Sequence, residues 1–316
     1  MKAVVIHEFG APEVFRYEDV PRPEVGVPED GLGEVLVKVH AAGINPVDWK
    51  TRQSGGILKA NGAPLPYILG WDMSGVIEEV GANVGNFAVG QEVFGLVRFP
   101  KMGSAYAEYL TTPVTDIAAK PASIDHLHAA AVPLAALTAW QGLFEFAKLE
   151  AGQRILVQGA AGGVGHFVVQ IAKAHGATVI GTASARNSDY LREIGVDEVI
   201  DYHAVQFEDV LHDLDVFFET VSAATAERAL KVLKPGGILV SCAGLPAPEV
   251  VAQYNVRTER FLVRPEASQL VEIAKLIDAG KLKPHVDAVF PLAEAGKAHA
   301  LGELGRTRGK IVLQVG

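Results

Sequence analysis

One stretch constrains this chain more than any other: Arg154-Ile-Leu-Val-Gln-Gly-Ala-Ala-Gly-Gly-Val-Gly165. An apolar strand runs into a glycine-rich turn, and an amphipathic helix leaves it, with Phe167, Val168, Ile171 and Ala172 on one face. In such a junction Gly162 lets the backbone approach a diphosphate, and Gly165 lets the helix pack closely on the strand. The amides at the helix N-terminus then face the phosphate charge. Gly162, Gly163 and Val164 are therefore candidate cofactor contacts. The fingerprint G-x-G-x-x-G is incomplete, because Ala160 stands where its first glycine belongs. A purely structural tight turn is the competing reading, and the surroundings decide against it. Strands over 177–183, 198–201, 215–219 and 237–242 alternate with helices over 163–175, 188–194 and 223–233. That alternation predicts a doubly wound parallel sheet, the Rossmann architecture, in an α/β protein.

The second strand bears on which dinucleotide would bind. An NAD site wants an acidic residue about 20 residues beyond the glycines, to accept the ribose 2′-hydroxyl. Here that place is Thr182-Ala-Ser-Ala-Arg-Asn187, which holds no acid. Ser184 can donate to a 2′-phosphate and Arg186 offers it a cationic fork, so NADP(H) is the expected cofactor. Tyr202, at the end of the third strand, is expected to line the same pocket, with Cys242 a further cofactor contact at the end of a later one.

Before Pro121 the grammar differs. Short apolar or alternating runs over 2–6, 35–41, 74–80, 92–97 and 105–110 are punctuated at Gly31-Leu32-Gly33, Gly81 and Gly90, which predicts a partly open antiparallel barrel. Ser123 is placed to cap a helix that starts at Ile124 and continues through Leu149. Two more helices are expected over 266–279 and 292–304. A closing strand over 310–315 resembles those of the first region, so the chain is expected to return there. The resulting division is 1–124 with 265–316, and 125–264. Two domains suit 316 residues, and 49% hydrophobic with 21% charged residues is ordinary for a folded chain.

Charge and cysteine content remove several classes. A net charge of −9 argues against a general nucleic-acid or anionic-membrane binder. One cysteine, Cys242, excludes an intramolecular disulfide framework and a Cys-rich metal lobe. No apolar run approaches the roughly 18 to 20 residues of a membrane span. The opening MKAVVIHEFGAPEVF lacks the apolar core and cleavage site of a signal peptide, so the cytoplasm is the expected compartment.

These features together resemble the medium-chain dehydrogenase/reductase superfamily, and within it the quinone oxidoreductase and enone reductase branch. The resemblance spans nearly the whole chain. It is carried by Ala42-Gly-Ile-Asn-Pro-Val-Asp48, Gly70-Trp-Asp-Met-Ser-Gly75, Gly81, Ala131-Val-Pro-Leu134, Leu137-Thr-Ala139, the glycine loop and Gly309-Lys-Ile-Val312. It implies a GroES-like β-barrel domain completed by the C-terminus, an inserted Rossmann domain, an active site in the cleft between them, and a homodimer paired through the Rossmann sheet edge. The apolar strand 237–242 and the segment 260–263 are the candidate edge. Zinc enzymes of the superfamily carry Gly-His-Glu where this chain has Gly70-Trp71-Asp72, together with a catalytic cysteine. His7, His40, His126 and His128 form no ligand spacing, so no metal site is expected. The resemblance places Asn45 near the nicotinamide and substrate, and Thr138 on the nicotinamide face. It gives Lys50 as a group that polarises a substrate carbonyl or binds ribose, and Tyr67 as a candidate proton donor. Asp48 reads as an anchor for its helix. The expected activity is NADPH-dependent reduction of a quinone or of a conjugated enone. The alternative is a non-catalytic NADPH-binding protein with a structural or chaperone-like role.

Overall fold

A computed structural model of the chain describes residues 1–26, 31 and 33–315. Leu32 of the expected Gly31-Leu32-Gly33 turn and the terminal Gly316 lie outside those residues. In chain order the strands are β1 (Lys2–Ile6), β2 (Phe15–Asp19), β3 (Glu34–Ile44), β4 (Tyr67–Ile68), β5 (Asp72–Val80), β6 (Glu92–Leu96), β7 (Tyr109–Pro113) and β8 (Ile117–Ala119). Then come β9 (Arg154–Val157), β10 (Thr178–Ala183), β11 (Glu198–Asp201), β12 (Leu214–Glu219), β13 (Leu233–Ser241) and β14 (Arg257–Arg260). Last are β15 (Val286–Pro291) and β16 (Lys310–Gln314). Two compact units emerge: Met1–Leu137 with Arg264–Gly280 and the chain from Pro284 onward, and Thr138–Val263 with Lys281–Lys283.

The first unit is built on a seven-stranded sheet in the order β15-β16-β3-β5-β6-β8, with β7 also paired to β3, and a three-stranded sheet β2-β1-β4. Neighbours run antiparallel except β15 and β16, and β16 joins β3 with Ile311 opposite Ile44, so the C-terminal strand does complete this sheet. β3 is buried at nearly every position and is flanked within the sheet by β5, β7 and β16.

In the second unit all six strands are parallel, in the order β11-β10-β9-β12-β13-β14. One row of side chains crosses the sheet in register, Ile180–Leu156–Phe217–Leu239, and each is buried. Such near-continuous apolar strands are what a parallel sheet covered on both faces demands. The strand order reverses between β9 and β12, which is where an open sheet of this kind leaves its ligand crevice.

Several elements differ from expectation. The single helix over 124–149 is broken into His126–Ala130, Pro133–Trp140 and a π-helical turn Gln141–Phe146. Pro133 lacks the N–H that would continue the first piece. Asp125, not Ser123, caps it by accepting from the His128 amide at 2.8 Å, while the Ser123 hydroxyl donates to Asp278 at 2.7 Å. The strand expected over 105–110 forms instead at 109–113, because Ala105 and Tyr106 donate their amides to Gly70 and Leu69. The expected sheet edge is corrected in part: β13, which holds residues 237–241, is interior, while β14, which ends on Arg260 of the expected segment 260–263, lies outside it. β14, Arg-Thr-Glu-Arg, has no apolar alternation by which to recognise it.

Candidate functional site

The glycine loop follows β9 directly. Gly159 takes the left-handed turn, with φ +68°, and a Cβ on Gly165 would lie 2.2 Å from the Gly159 carbonyl oxygen. The missing first glycine is thereby explained: Gly159, one residue earlier, supplies the positive φ. Ala160 donates its amide to the Thr182 carbonyl at 3.1 Å, and its methyl is accommodated because Gly181 has none (a Cβ there would be 2.9 Å away). The Gly162 carbonyl accepts from both the amide and Nδ1 of His166, at 3.1 and 2.9 Å, which ties the loop to the helix Gly165–Ala174. Among the described residues, none accepts from the amides of Ala161, Gly163 or Val164. Unpaired amides at a helix N-terminus form an anion cradle, so the loop fits a diphosphate.

Ser184 and Tyr202 emerge at the carboxyl ends of the paired strands β10 and β11, and the Tyr202 amide donates to the Ala183 carbonyl at 3.3 Å. Arg186 is exposed on the short turn Ala185–Asn187, and Asn187 Nδ2 donates to Ser184 Oγ at 3.4 Å. The nearest acid by register, Asp201, faces its own turn and accepts from the His203 amide at 3.1 Å. The three residues expected to read a 2′-phosphate are thus at one end of two adjacent strands.

At the ends of β12 and β13, Cys242 is half-buried, and its amide and Sγ donate to the Glu219 carbonyl at 3.2 and 3.7 Å. Glu219 itself escaped the sequence reading, although an acid closing so apolar a strand was a visible signal. It is fully buried, and burial pushes its carboxyl up to about 7. Thr138, on the helix Pro133–Trp140, is also buried.

In the first unit, Asn45 precedes the helix Pro46–Ser54 and is 1% exposed. Asp48 Oδ2 accepts from the Asn45 amide at 2.6 Å, as befits the helix anchor it was expected to be. The Asn45 carboxamide is held at both ends: Nδ2 donates to Asp72 at 2.9 Å, and Oδ1 accepts from Lys310, which also reaches the Ile44 carbonyl at 2.7 Å. Asp72 Oδ1 accepts from the Leu134 amide at 2.7 Å. Burial pushes the Asp72 carboxyl up and the Lys310 ammonium down, the latter opposed by Asp72; burial pushes Asp48 up to about 7.

The network continues beyond the expected residues. Arg52 Nη1 lies 3.4 Å from His299 Nδ1, which must accept, so Nε2 carries the proton toward the Tyr106 hydroxyl 3.0 Å away. Burial and the Arg52 charge hold His299 down at about 3, so it is neutral. Arg52 ends the chain on Glu303 at 2.7 Å. Sequence spacing gives no hint of this, since residues 52, 106 and 299 meet only in the fold.

Lys50 is exposed on the helix of Asn45. Tyr67 is buried and its hydroxyl donates to the Ala63 carbonyl at 2.8 Å, so it is not part of the Asn45 network. The place where zinc ligands would be sought does not fit a metal. Trp71 donates its indole N–H to the Lys101 carbonyl at 2.6 Å, and both Asp72 oxygens accept from protein donors. His40 and His126 stack at 4.5 Å, but His126 is tied to Ser74 and Glu92. No group of three or more His, Cys, Asp or Glu able to hold a metal ion occurs among the described residues.

A GroES-like sheet with a parallel dinucleotide-type sheet is the architecture of a two-domain dehydrogenase. Residues 31–122 match the family model described as an alcohol dehydrogenase GroES-like domain, and residues 194–313 the one described as a zinc-binding dehydrogenase. The NADPH-dependent alkenal/one oxidoreductase of Arabidopsis thaliana, described as chloroplastic, is 36% identical over 99% of this chain and 79% of its own length. The quinone oxidoreductase structure from Coxiella burnetii superposes with a TM-score of 0.91 at 36% identity, covering 100% and 99% of the two chains. A mycobacterial structure solved with NADPH gives a TM-score of 0.87 at 27% identity, covering 100% of each. The chain belongs to the medium-chain dehydrogenase/reductase superfamily, among its quinone oxidoreductases and enone reductases.

Proposed function

We propose that this chain is a zinc-independent, NADPH-dependent reductase of quinones or of the conjugated double bond of α,β-unsaturated carbonyls. The observation that carries the reading is the glycine loop with its unpartnered amides beside an acid-free rim of Ser184, Arg186 and Tyr202. The amides of Ala161, Gly163 and Val164 bind the diphosphate, and Ser184 and Arg186 read the 2′-phosphate. NADPH, when bound, supplies the reducing equivalent. Reduction of an enone develops negative charge on its carbonyl oxygen, remote from the carbon attacked, and one cation or hydrogen-bond donor stabilises that oxygen. Lys50 is the residue we assign to it. Asn45, held at both ends, shapes the site by fixing the start of its helix. The Tyr67 hydroxyl donates its hydrogen bond to the Ala63 carbonyl, so we assign solvent as the source of the proton that completes the reduction. The chemistry needs no Lewis acid, and the occupied oxygens of Asp72 support that view.

NADPH consumption against a panel of enones, alkenals and quinones tests the proposal: turnover is expected on at least one class, without stoichiometric zinc and with chelators present. Zinc whose removal abolishes turnover would refute the metal-independent part. The engagement of both the Asn45 carboxamide and the Tyr67 hydroxyl by their own chain favours one second reading, a non-catalytic NADPH binder. Tight NADPH binding with no turnover across the panel would select it.

A further inference from the structure

The second unit holds a buried carboxyl that the scheme above leaves without a task. Glu219 closes β12 beside β9, where Phe218 and Val157 are register partners, so Glu219 and Gln158 both stand where the strand order reverses. Its Oε1 accepts from the Val221 and Ser222 amides at 2.5 and 3.0 Å, which turns the side chain back onto its own loop. Oε2 has no hydrogen-bond partner among the described residues. The loop so braced packs on the glycine loop. A Cβ on Gly159 would lie 2.8 Å from Thr220 Oγ1 and 3.1 Å from Val221 Cγ2, and Thr220 Oγ1 donates to the Gln158 carbonyl at 2.6 Å.

An ionised carboxylate wants donors on both oxygens, and in a dry site an oxygen without one favours the protonated form. Among the described residues, the backbone amides of Val221, Ser222 and Thr220 draw the Glu219 carboxyl back down against its burial. Just after β13 the Cys242 thiol is a titratable neighbour, and the hydroxyls nearby, Thr220 and Ser222, are neutral.

Building on the dinucleotide reading, we propose that Glu219 is a positioning residue for the cofactor: it holds Thr220–Ser222 against Gly159 and takes up a proton when the diphosphate charge settles on the neighbouring loop amides. The step is a simple protonation of the carboxylate from solvent, with no bond to the cofactor and no redox change. A bound polyanion disfavours a second negative charge close by, so binding and protonation support each other.

Calorimetric titration near pH 7 in two buffers of different ionisation enthalpy measures the uptake. NADH is the reporter, because the 2′-phosphate of NADPH titrates near pH 6 and adds its own proton change. The wild-type protein is expected to take up a fraction of one proton. Its NADH affinity should weaken from pH 6 to pH 8, by at most about tenfold per pH unit, the limit for one linked proton. Glu219→Gln should lose the uptake and flatten the profile, while Glu219→Asp, which retains a carboxyl, should keep an uptake. Absence of uptake in the wild type, or uptake undiminished in Glu219→Gln, would overturn the proposal, and the wild-type and Glu219→Asp measurements stand even if Glu219→Gln fails to fold. Failure of both NADH and NADPH to bind would instead refute the dinucleotide reading, and this inference with it.

Discussion

Arg186 and Asp48 show how one side chain's surroundings become a measurable property. If Arg186 reads the 2′-phosphate, Arg186→Ala removes a charge-assisted contact worth about 1.5–3 kcal/mol. That is roughly a 10- to 150-fold loss in NADPH affinity, with NADH hardly changed. Ser184→Asp with Arg186→Ala should reverse the preference, since the new carboxylate accepts a ribose hydroxyl and repels a phosphate. Equal losses for both cofactors would mean that Arg186 supports the fold or the diphosphate. Asp48 makes a prediction of another kind. Its folded carboxyl is raised from 3.8 to about 7, so folding takes up a proton, and the associated stability is fully present below 3.8 and lost as pH rises through 7. Asp48→Asn should therefore gain on the wild type as pH rises from 4 to 8, on the order of a few kcal/mol. Chemical denaturation across that range checks the slope, and parallel curves for the two proteins would refute it. That Ser184 and Arg186 follow directly on the second strand of the parallel sheet was legible, because a strand–turn–helix repeat has a fixed spacing. His299 and Tyr106 were not, because a hydrogen-bond network obeys no spacing in sequence.

Elements carry the next level of argument. The helix Gly165–Ala174 packs so closely on the loop before it that Gly165→Ala forces a Cβ to within 2.2 Å of a carbonyl oxygen. Backbone cannot yield there cheaply, and overpacking of this kind destabilises by about 1–3 kcal/mol. Thermal unfolding should register the loss, and NADPH affinity should fall with it because the loop amides move. Unchanged stability and affinity would mean that the loop is slack. Strands β9 to β13 of the second unit were readable from their apolar runs. β2, β4, β8, β14 and β15 were not, since they are short, or expose alternate residues, or carry mostly charged side chains. Their strand character comes from a neighbour's backbone rather than from their own pattern.

At the scale of the molecule, the parallel sheet ends on β11 at one edge and on β14 at the other, with Leu262 60% exposed just beyond β14. An unpaired edge tends to find a partner, and we expect two copies to join at β14. Light scattering should give about twice the 33.5 kDa of one chain, and a mass near one chain would exclude the dimer. Read alone, the sequence determined the α/β class, the parallel sheet with its glycine loop, the absence of an acid over 182–187 and the return of the C-terminal strand. Each of these is written in local periodicity or in a motif whose residues are neighbours along the chain. Only the tertiary structure decided that Gly159 replaces the missing glycine and that β14 caps the sheet edge. It alone brought Lys310, 265 residues away, to hold Asn45, and left Glu219 with an oxygen unpartnered among the described residues. Those facts depend on which distant groups share a dry interior, and the energy of a buried charge is set by its partners there rather than by its place in the chain.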